Sequence, residues 1–216
     1  MSTGTEMIRR RYALMAPRVL NALRHRGYEA HFAADADAAR ALALSLILPD
    51  ETVSWGGSLT LEETGILSAL RAGGYRLIDR DAAASPEERR ELMRQALLCG
   101  TFLSSVNAMT EDGEMINIDG NGNRIAAIAF GPKRVILVAG MNKICRDLPS
   151  ALARAAGFAA PANGVRLHAD TLPCVQTGVC CDCRSGDSMC AQVVRMRCNH
   201  IPGRIKVILV GEDCGL

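Results

Sequence analysis

Two apolar runs, 135–139 (VILVA) and 204–210 (RIKVILV), restrict most strongly how this chain can fold. The first contains no polar residue, which is typical of a strand buried on both faces of a parallel sheet. The rest of the chain alternates between strand and helix patterns. Further strands are predicted at 28–32, 52–55 and 75–79, and helices at 5–26, at 35–48, from about 61, from 86 and at roughly 149–156. This alternation predicts an α/β fold with an open, mainly parallel sheet and helices on both faces.

Length and charge limit the classes of protein to which the chain can belong. A chain of 216 residues with 49% hydrophobic content is expected to form one domain over 1–216. Its 25 basic and 23 acidic residues almost cancel, whereas a nucleic-acid-binding protein usually has a basic surface. We see no apolar segment of signal-peptide length and no run of the ~20 apolar residues that a membrane helix needs. We therefore expect a cytoplasmic protein without nucleic-acid or membrane partners, and the sequence leaves a homo-oligomer open.

The most polar stretch is 107–124, NAMTEDGEMINIDGNGNR, which combines four Asn, four carboxylates, one Arg and three Gly. Its pattern predicts a polar turn, a strand at 114–118, a Gly-rich loop and a helix start. Glycines in the loop allow positive φ and close approach of a ligand, and the N–H groups of a first helical turn favour an anion. An ordinary hairpin and turn is the alternative. The binding candidates are Asn107, Asn117, Gly120, Gly122, Asn123 and Arg124.

Charged groups in this stretch indicate two roles. Arg124 offers a planar fork for a carboxylate or phosphate, although an ion pair with Asp119 or Asp112 would explain it equally. Glu111, Asp112 and Asp119 are candidates for a general base, a nucleophile or a hydrogen-bond acceptor. Carboxylates paired in a partly buried site can have their pKa values pushed apart. Solvated turn residues are the alternative.

Two further polar loops follow predicted strands. One loop, 140–143, contributes Lys143, and the other contributes Gly56, Gly57 and Ser58. Ligands of open parallel sheets collect beyond the carboxyl ends of the strands. We therefore expect both loops to meet the 107–124 stretch in one cleft. The expected occupant is a small anionic substrate, either a carboxylate or a phosphate.

Helix starts are marked by residues that can cap free N–H groups. Ser85, followed by Pro86 and Glu88, predicts a helix start at this point. Thr60 and Glu63 have the spacing of a capping box. Glu63 is therefore expected to act as a cap rather than as a catalyst.

Four cysteines in the segment 173–198 form a candidate metal site. Their spacing includes a CxxC turn, which supplies two thiolates at once, and thiols in a reducing cytoplasm are available as ligands. The segment therefore predicts an iron–sulfur cluster, with zinc, or thiol chemistry without a metal, as the alternatives. Cys181 lies directly beside one candidate, so either of the two could be the ligand. The candidate ligands are Cys174, Cys180, Cys183 and Cys190.

Four motifs resemble those of the LUD, or lactate-utilisation, family. They are SWGGSLTLEETG at 54–65, TEDGEMINIDGNGNR at 110–124, GMNKICRDL at 140–148 and the PC…C…DC…C segment at 173–190. The similarity extends from about residue 20 to the C-terminus and is closest to short, stand-alone members that carry four cysteines. The resemblance implies a fold similar to that of ribose-phosphate isomerase, glucosamine-phosphate deaminase and CoA transferases. Characterised relatives act with iron–sulfur partner proteins in oxidising lactate to pyruvate.

Two main classes of function follow. The first is a redox or accessory protein of 2-hydroxy-acid oxidation, with a cysteine-ligated metal site beside an anion-binding cleft and an iron–sulfur protein as partner. The second is an enzyme of the CoA-transferase or sugar-phosphate isomerase type, with Glu111 or Glu114 as nucleophile or base. A non-catalytic ligand sensor is a third. Visible absorbance of anaerobically purified protein would favour the first class, and acyl exchange without absorbance the second.

Overall fold

The computed structural model describes residues 3–216, within which six strands form an all-parallel sheet. The strands are β1 (Glu29–Ala33), β2 (Thr52–Trp55), β3 (Arg76–Ile78), β4 (Thr101–Ser104), β7 (Arg134–Gly140) and β10 (Ile205–Val210). Their order is β1-β10-β7-β4-β2-β3. Parallel neighbours need crossover connections, which place helices on the faces of the sheet. The predicted open parallel α/β sheet is confirmed.

Side chains of the central strands alternate between two hydrophobic cores. Val135 and Leu137 of β7 pack in the core that α1 (Thr3–His25) covers, whereas Ile136 packs on the opposite face with α2 (Ala36–Ser45). All three side chains are fully buried. Both faces of the strand are therefore apolar, which explains why the 135–139 run contains no polar residue.

The remaining helices cover the sheet and lead into the loops at its edge. They are α3 (Leu59–Glu63), α4 (Ile66–Ala72), α5 (Pro86–Gln95), α6 (Asn123–Ala129), α7 (Leu148–Arg154), α8 (Ala160–Arg166) and α9 (Pro173–Thr177). Short 3₁₀ segments lie at 80–82, 96–98 and 141–143, and a π-helical turn at 155–159 joins α7 to α8. No helix within residues 3–216 combines the length and the apolar character that crossing a membrane requires.

The capping residues confirm one predicted helix start and correct another. Ser85 caps α5 as predicted. The capping box predicted for Thr60 and Glu63 is wrong, because α3 begins earlier and Ser58 is its cap. The Ser58 hydroxyl accepts a hydrogen bond from the N–H of Leu61 at 3.3 Å. Thr60 therefore lies inside the first turn, where its buried hydroxyl accepts a hydrogen bond from Nζ of Lys143 at 2.9 Å.

A second sheet of four strands is absent from the sequence-based prediction. It contains β5 (Ala108–Thr110), β6 (Met115–Asp119), β8 (Ile144–Cys145) and β9 (Gln192–Met196), in the order β8-β5-β6-β9. β6 is antiparallel to both β5 and β9. β9, near the end of the cysteine-rich segment, therefore pairs with β6, the strand that precedes the Gly-rich loop.

Glu114, directly before β6, connects this second sheet to neighbouring parts of the chain through its carboxylate. Its side chain is 6% exposed, and Arg195 of β9 donates to its two carboxylate oxygens at 2.8 and 2.7 Å. Arg26, which directly follows α1, lies 3.4 Å from the same carboxylate. These contacts hold β6 against β9 and α1, so the geometry gives Glu114 a structural role.

Replacing Glu114 with glutamine is expected to lower the free energy of unfolding by roughly 2 kcal/mol, because the charge-assisted hydrogen bonds that the buried carboxylate accepts are lost. Urea denaturation measures the change. Glu111→Gln is the matched control, since the Arg18 side chain with which Glu111 pairs is 76% exposed and exposed pairs contribute about 0–1 kcal/mol. Equal losses in the two variants would show that the Glu114 contacts do not stabilise the fold.

Candidate anion-binding cleft

A cavity of about 550 Å³ lies beyond the carboxyl ends of the central parallel strands. β2, β4 and β7 are neighbours in the sheet, so the loops that follow them begin at the same edge. These loops bring Ser58, Asn107 and Lys143 to the cavity wall. The structure thus gathers the three loops selected from the sequence around one cleft. The Gly-rich loop and the start of α6 add Asp119, Gly120, Asn121, Asn123 and Arg124.

Gly56 and Gly57 allow two arginines to lie against the main chain. A Cβ atom on Gly56 would lie 3.0 Å from Cγ of Arg124, and one on Gly57 would lie 2.7 Å from Nη2 of Arg80. A larger residue at either position would have to displace an arginine side chain. The Gly-Gly pair therefore permits close packing of cations beside the cleft.

Two contacts hold the guanidinium group of Arg124 in place: hydrogen bonds from Nη2, and an ion pair in which Nε lies 3.8 Å from Oδ2 of Asp119, as the alternative interpretation of the sequence expected. Its Nη2 donates to Oδ1 of Asn107 at 3.1 Å and to the main-chain oxygen of Ile118. Within residues 3–216 no group accepts a hydrogen bond from Nη1, which leaves that nitrogen for a ligand. Burial lowers the pKa of Arg124, because desolvation disfavours a cation. A bound anion would offset that cost.

Asp119 supplies the negative charge at the start of α6. Its Oδ2 accepts hydrogen bonds from the N–H groups of Arg124 and Ile125, each at 3.1 Å. Gly122 precedes the helix with a φ of 76°, a conformation that favours glycine. The chain's own carboxylate therefore satisfies the helix start, which corrects the expectation that these N–H groups await an external anion.

Lys143 is buried in the cavity wall and is 3% exposed. Its Nζ lies 2.9 Å from Oγ1 of Thr60, 3.1 Å from Oγ of Ser105 and 3.3 Å from the main-chain oxygen of Val106. These three partners are uncharged, and no carboxylate of the described chain lies within ion-pair distance of Nζ. Burial lowers the pKa of Lys143 to about 7. Lys143 can therefore gain or lose a proton near neutral pH, and an anion would favour its charged form.

Sequence reasoning missed three arginines of the cleft, Arg80, Arg89 and Arg166. Arg80 opens the 3₁₀ segment after β3 and is 9% exposed. Arg166 lies on α8, where its Nη2 donates to Asn163 at 2.9 Å. A signal for Arg80 was present, because it follows the strand predicted at 75–79 just as the selected loops follow their strands.

Other predicted site residues do not line the cleft within the part of the chain that the structure describes. Glu111 lies 3.3 Å from Arg18 of α1, and Asp112 lies 2.6 Å from Arg26 directly after this helix, so arginines outside the cleft engage both carboxylates. Asn117 is 1% exposed in β6, and its two polar side-chain atoms have no hydrogen-bond partner among residues 3–216. Of the three candidate carboxylates, the structure brings one to the cleft.

The cysteine-rich segment borders the same cleft. Residues 186–190 line its wall, and a Cβ atom on Gly120 would lie 3.3 Å from the main-chain oxygen of Met189. Gly120 therefore allows the segment to approach the Gly-rich loop closely. Cys190 belongs to both features, since it is a candidate metal ligand and a residue of the cavity wall.

The four candidate cysteines interact electrostatically. Burial raises the pKa of Cys190, and the nearby Cys180, Cys174 and Cys183 raise it further. Among residues 3–216, however, no three His, Cys, Asp or Glu side chains are arranged to hold a metal ion. A shared metal would therefore require this exposed segment to draw its thiols closer together.

Open parallel sheets bind their ligands beyond the carboxyl ends of the strands. This chain has such a sheet, with a cationic cleft at that edge. The family model of the LUD domain matches residues 16–210. The chain therefore belongs to the LUD domain family, which confirms the resemblance seen in its motifs. No curated protein matches the sequence.

Solved structures agree with this fold. A DUF162 family protein from Deinococcus radiodurans is similar over 92% of this chain and 98% of its own, with a TM-score of 0.51 and 14% sequence identity. At that identity the similarity shows the fold alone. Ribose 5-phosphate isomerase A from Neisseria gonorrhoeae overlaps 51% of this chain and 52% of its own, with a TM-score of 0.34 and 13% identity. This second similarity is too low to support a statement about activity.

Proposed function

We propose that this LUD-domain protein binds a small 2-hydroxy or 2-oxo acid and is a redox or accessory component in oxidation of the hydroxy acid. The observation that carries the proposal is that Cys190 lines the same cavity as Arg124 and Lys143. An iron–sulfur cluster held there would supply an electron acceptor beside the bound acid. Its ligands would be Cys174, Cys180, Cys183 and Cys190.

The donor set suits such a cluster. Thiolates are the usual ligands of iron–sulfur clusters, and Cys180 and Cys183 form a CxxC turn. Residues 178–191 contain neither helix nor strand and are mostly exposed, so this segment can close around a cluster without disturbing the hydrophobic cores. Zinc would fit the same thiols, and analysis for sulfide separates the two.

The cleft residues would bind and orient the acid. Nη1 of Arg124 is a donor for its carboxylate. Oxidation of the hydroxy acid releases two electrons and two protons. In its neutral form, the Lys143 amine can accept the proton of the substrate hydroxyl. A pKa near 7 suits this role, because a general base is most effective when its pKa lies near the working pH. The two electrons would pass one at a time through the cluster to an iron–sulfur partner protein, and the C2 hydrogen would leave as a proton to solvent.

Catalysis by a cleft carboxylate, the alternative function, has less support. Asp119 and Asp187 are the carboxylates of the cavity wall within residues 3–216. Asp119 already binds the first N–H groups of α6. Glu111 and Glu114 bind arginines away from the wall. We therefore prefer the redox role.

Electron paramagnetic resonance of anaerobically purified, reduced protein tests the proposed function. Saturating lactate or pyruvate is expected to change the spectrum, because the acid would bind beside the cluster. Acetate, which has a carboxylate but lacks the 2-hydroxy or 2-oxo group, is the control ligand. A cluster spectrum that neither lactate nor pyruvate alters would contradict the proposed placement of the substrate.

Replacing Arg124 with lysine is expected to weaken pyruvate binding at least roughly tenfold, the effect of losing one charge-assisted hydrogen bond. Lysine keeps the charge, but one ammonium group cannot bind Asn107 and Ile118 and also present a nitrogen to the cleft. Isothermal titration calorimetry measures the Kd.

The matched control for this substitution is Arg134→Lys. Arg134 donates to Glu51 at 2.6 Å and begins β7, at the edge of the sheet opposite the cleft. Its replacement is expected to leave pyruvate binding unchanged. If Arg124→Lys binds pyruvate as tightly as the wild type does, the geometric role of Arg124 is wrong.

A further inference from the structure

Arg80 has little compensation for its charge. Its Nε is buried and has no hydrogen-bond partner among residues 3–216. The nearest carboxylate oxygen, Oδ1 of Asp81, lies 3.6 Å from Nε. That carboxylate already accepts hydrogen bonds from Trp55 at 3.0 Å and from Arg89 at 2.8 Å. Arg80 therefore presents to the cleft a guanidinium group whose charge the protein neutralises only in part.

Other cations surround the Arg80 guanidinium. A Cβ atom on Gly57 would lie 2.7 Å from Nη2 of Arg80 and 4.0 Å from Nη2 of Arg166, so both groups lie beside one glycine. Burial lowers the pKa of Arg80 most strongly; Asp81 and Asp119 raise it, whereas Arg89 and Arg124 lower it. Like charges in a poorly solvated site repel one another. An anion with more than one negative charge would relieve this repulsion.

The cleft is large enough for a ligand with two anionic groups. Its volume of about 550 Å³ falls in the range of roughly 300–1,000 Å³ found for pockets that hold drug-sized ligands. A Cβ atom on Gly56 would contact Arg124 and one on Gly57 would contact Arg80, so the two arginines lie beside neighbouring residues of one loop. A three-carbon acid bound at Lys143 would leave the Arg80 end free.

We infer that the Arg80 end of the cleft is a binding site for a phosphoryl group, either free phosphate or a phosphate ester. A tetrahedral dianion offers oxygens both for the guanidinium fork of Arg80 and for Arg166. Arg89 is a positioning residue, because its Nη1 donates to the main-chain oxygen of Arg80 at 3.0 Å. This inference goes beyond the proposed redox role and does not depend on it, since it uses no cysteine and no metal.

Titration calorimetry with inorganic phosphate tests the inference on the wild type and on Arg80→Gln. The substitution is expected to weaken phosphate binding at least about tenfold, because the least compensated donor is lost. Arg90→Gln is the matched control, since Arg90 lies on α5 with a side chain that is 69% exposed. It is expected to bind phosphate as the wild type does. Tighter binding of glycerol 3-phosphate than of phosphate would assign the site to an ester, and the reverse order to the free anion.

Gly57→Ala provides a second variant that removes no charge. Its Cβ atom would displace the Arg80 guanidinium, so phosphate binding is expected to weaken in this variant too. Wild-type protein that binds phosphate no more tightly than acetate at equal ionic strength would overturn the inference. Wild-type affinity in both Arg80→Gln and Gly57→Ala would also overturn it. Neither result would bear on the iron content, so the redox proposal is tested separately.

Discussion

Replacing Cys180 with serine is expected to abolish the iron–sulfur cluster, whereas replacing Cys181 is expected to leave it intact. Cys180 acts electrostatically on both Cys174 and Cys190, whereas Cys181 acts on Cys174 but not on Cys190. The Cys181 thiol donates to the main-chain oxygen of Val179 at 3.3 Å instead. Serine supplies no thiolate, so the loss of a true ligand should remove most of the bound iron.

The two substitutions control for each other, because each removes one thiol from adjacent exposed positions. Iron, acid-labile sulfide and visible absorbance are measured after anaerobic purification of both variants. If Cys181→Ser loses the cluster while Cys180→Ser retains it, the choice of ligand is wrong. If both variants retain the cluster, the CxxC turn does not hold it.

Replacing Lys143 with methionine is expected to remove a strong pH dependence of stability. Burial lowers the pKa of Lys143 to about 7 in the folded protein, against about 10.4 in an unfolded chain. Between these values the unfolded chain binds a proton that the folded protein does not bind. The Lys143 contribution to the free energy of unfolding therefore rises with pH, and it is lost as the pH falls from about 10 toward 7. One proton corresponds to a slope of about 1.4 kcal/mol per pH unit.

Urea denaturation at several pH values in the lower half of this window measures the slope. The comparison is between wild type and Lys143→Met, so that groups which titrate in both proteins cancel. Lys133→Met, at an exposed position, is the control and should keep the wild-type slope. Equal slopes in wild type and Lys143→Met would mean that Lys143 has an ordinary pKa, which would remove its proposed role as a base.

The large parallel sheet could be predicted because its signals are local. The 135–139 run is apolar throughout, and this composition by itself indicates burial on two faces. The second sheet could not be predicted, because β8 has two residues and β5 has three, too few to show a period. β9 pairs with β6 across a long separation in sequence, and such pairing leaves no local pattern.

Only those cleft residues that directly follow a predicted strand could be identified from the sequence. Ser58, Asn107 and Lys143 each follow a parallel strand and reach the cavity wall. Glu111 and Asp112 belong to the same polar stretch, but they pair with Arg18 of α1 and with Arg26 directly after it. The sequence around a carboxylate cannot show which distant cation will pair with it. Arg166 was missed for the same reason, because the fold brings it from α8.

We propose that the cysteine segment beside the anion-binding cleft holds an iron–sulfur cluster. The most direct test measures iron, acid-labile sulfide and zinc per chain in wild-type protein purified without oxygen. We expect iron and sulfide in equal amounts at a fixed stoichiometry, with little zinc. Stoichiometric zinc without sulfide, or neither metal in protein whose four thiols remain free, would contradict the claim.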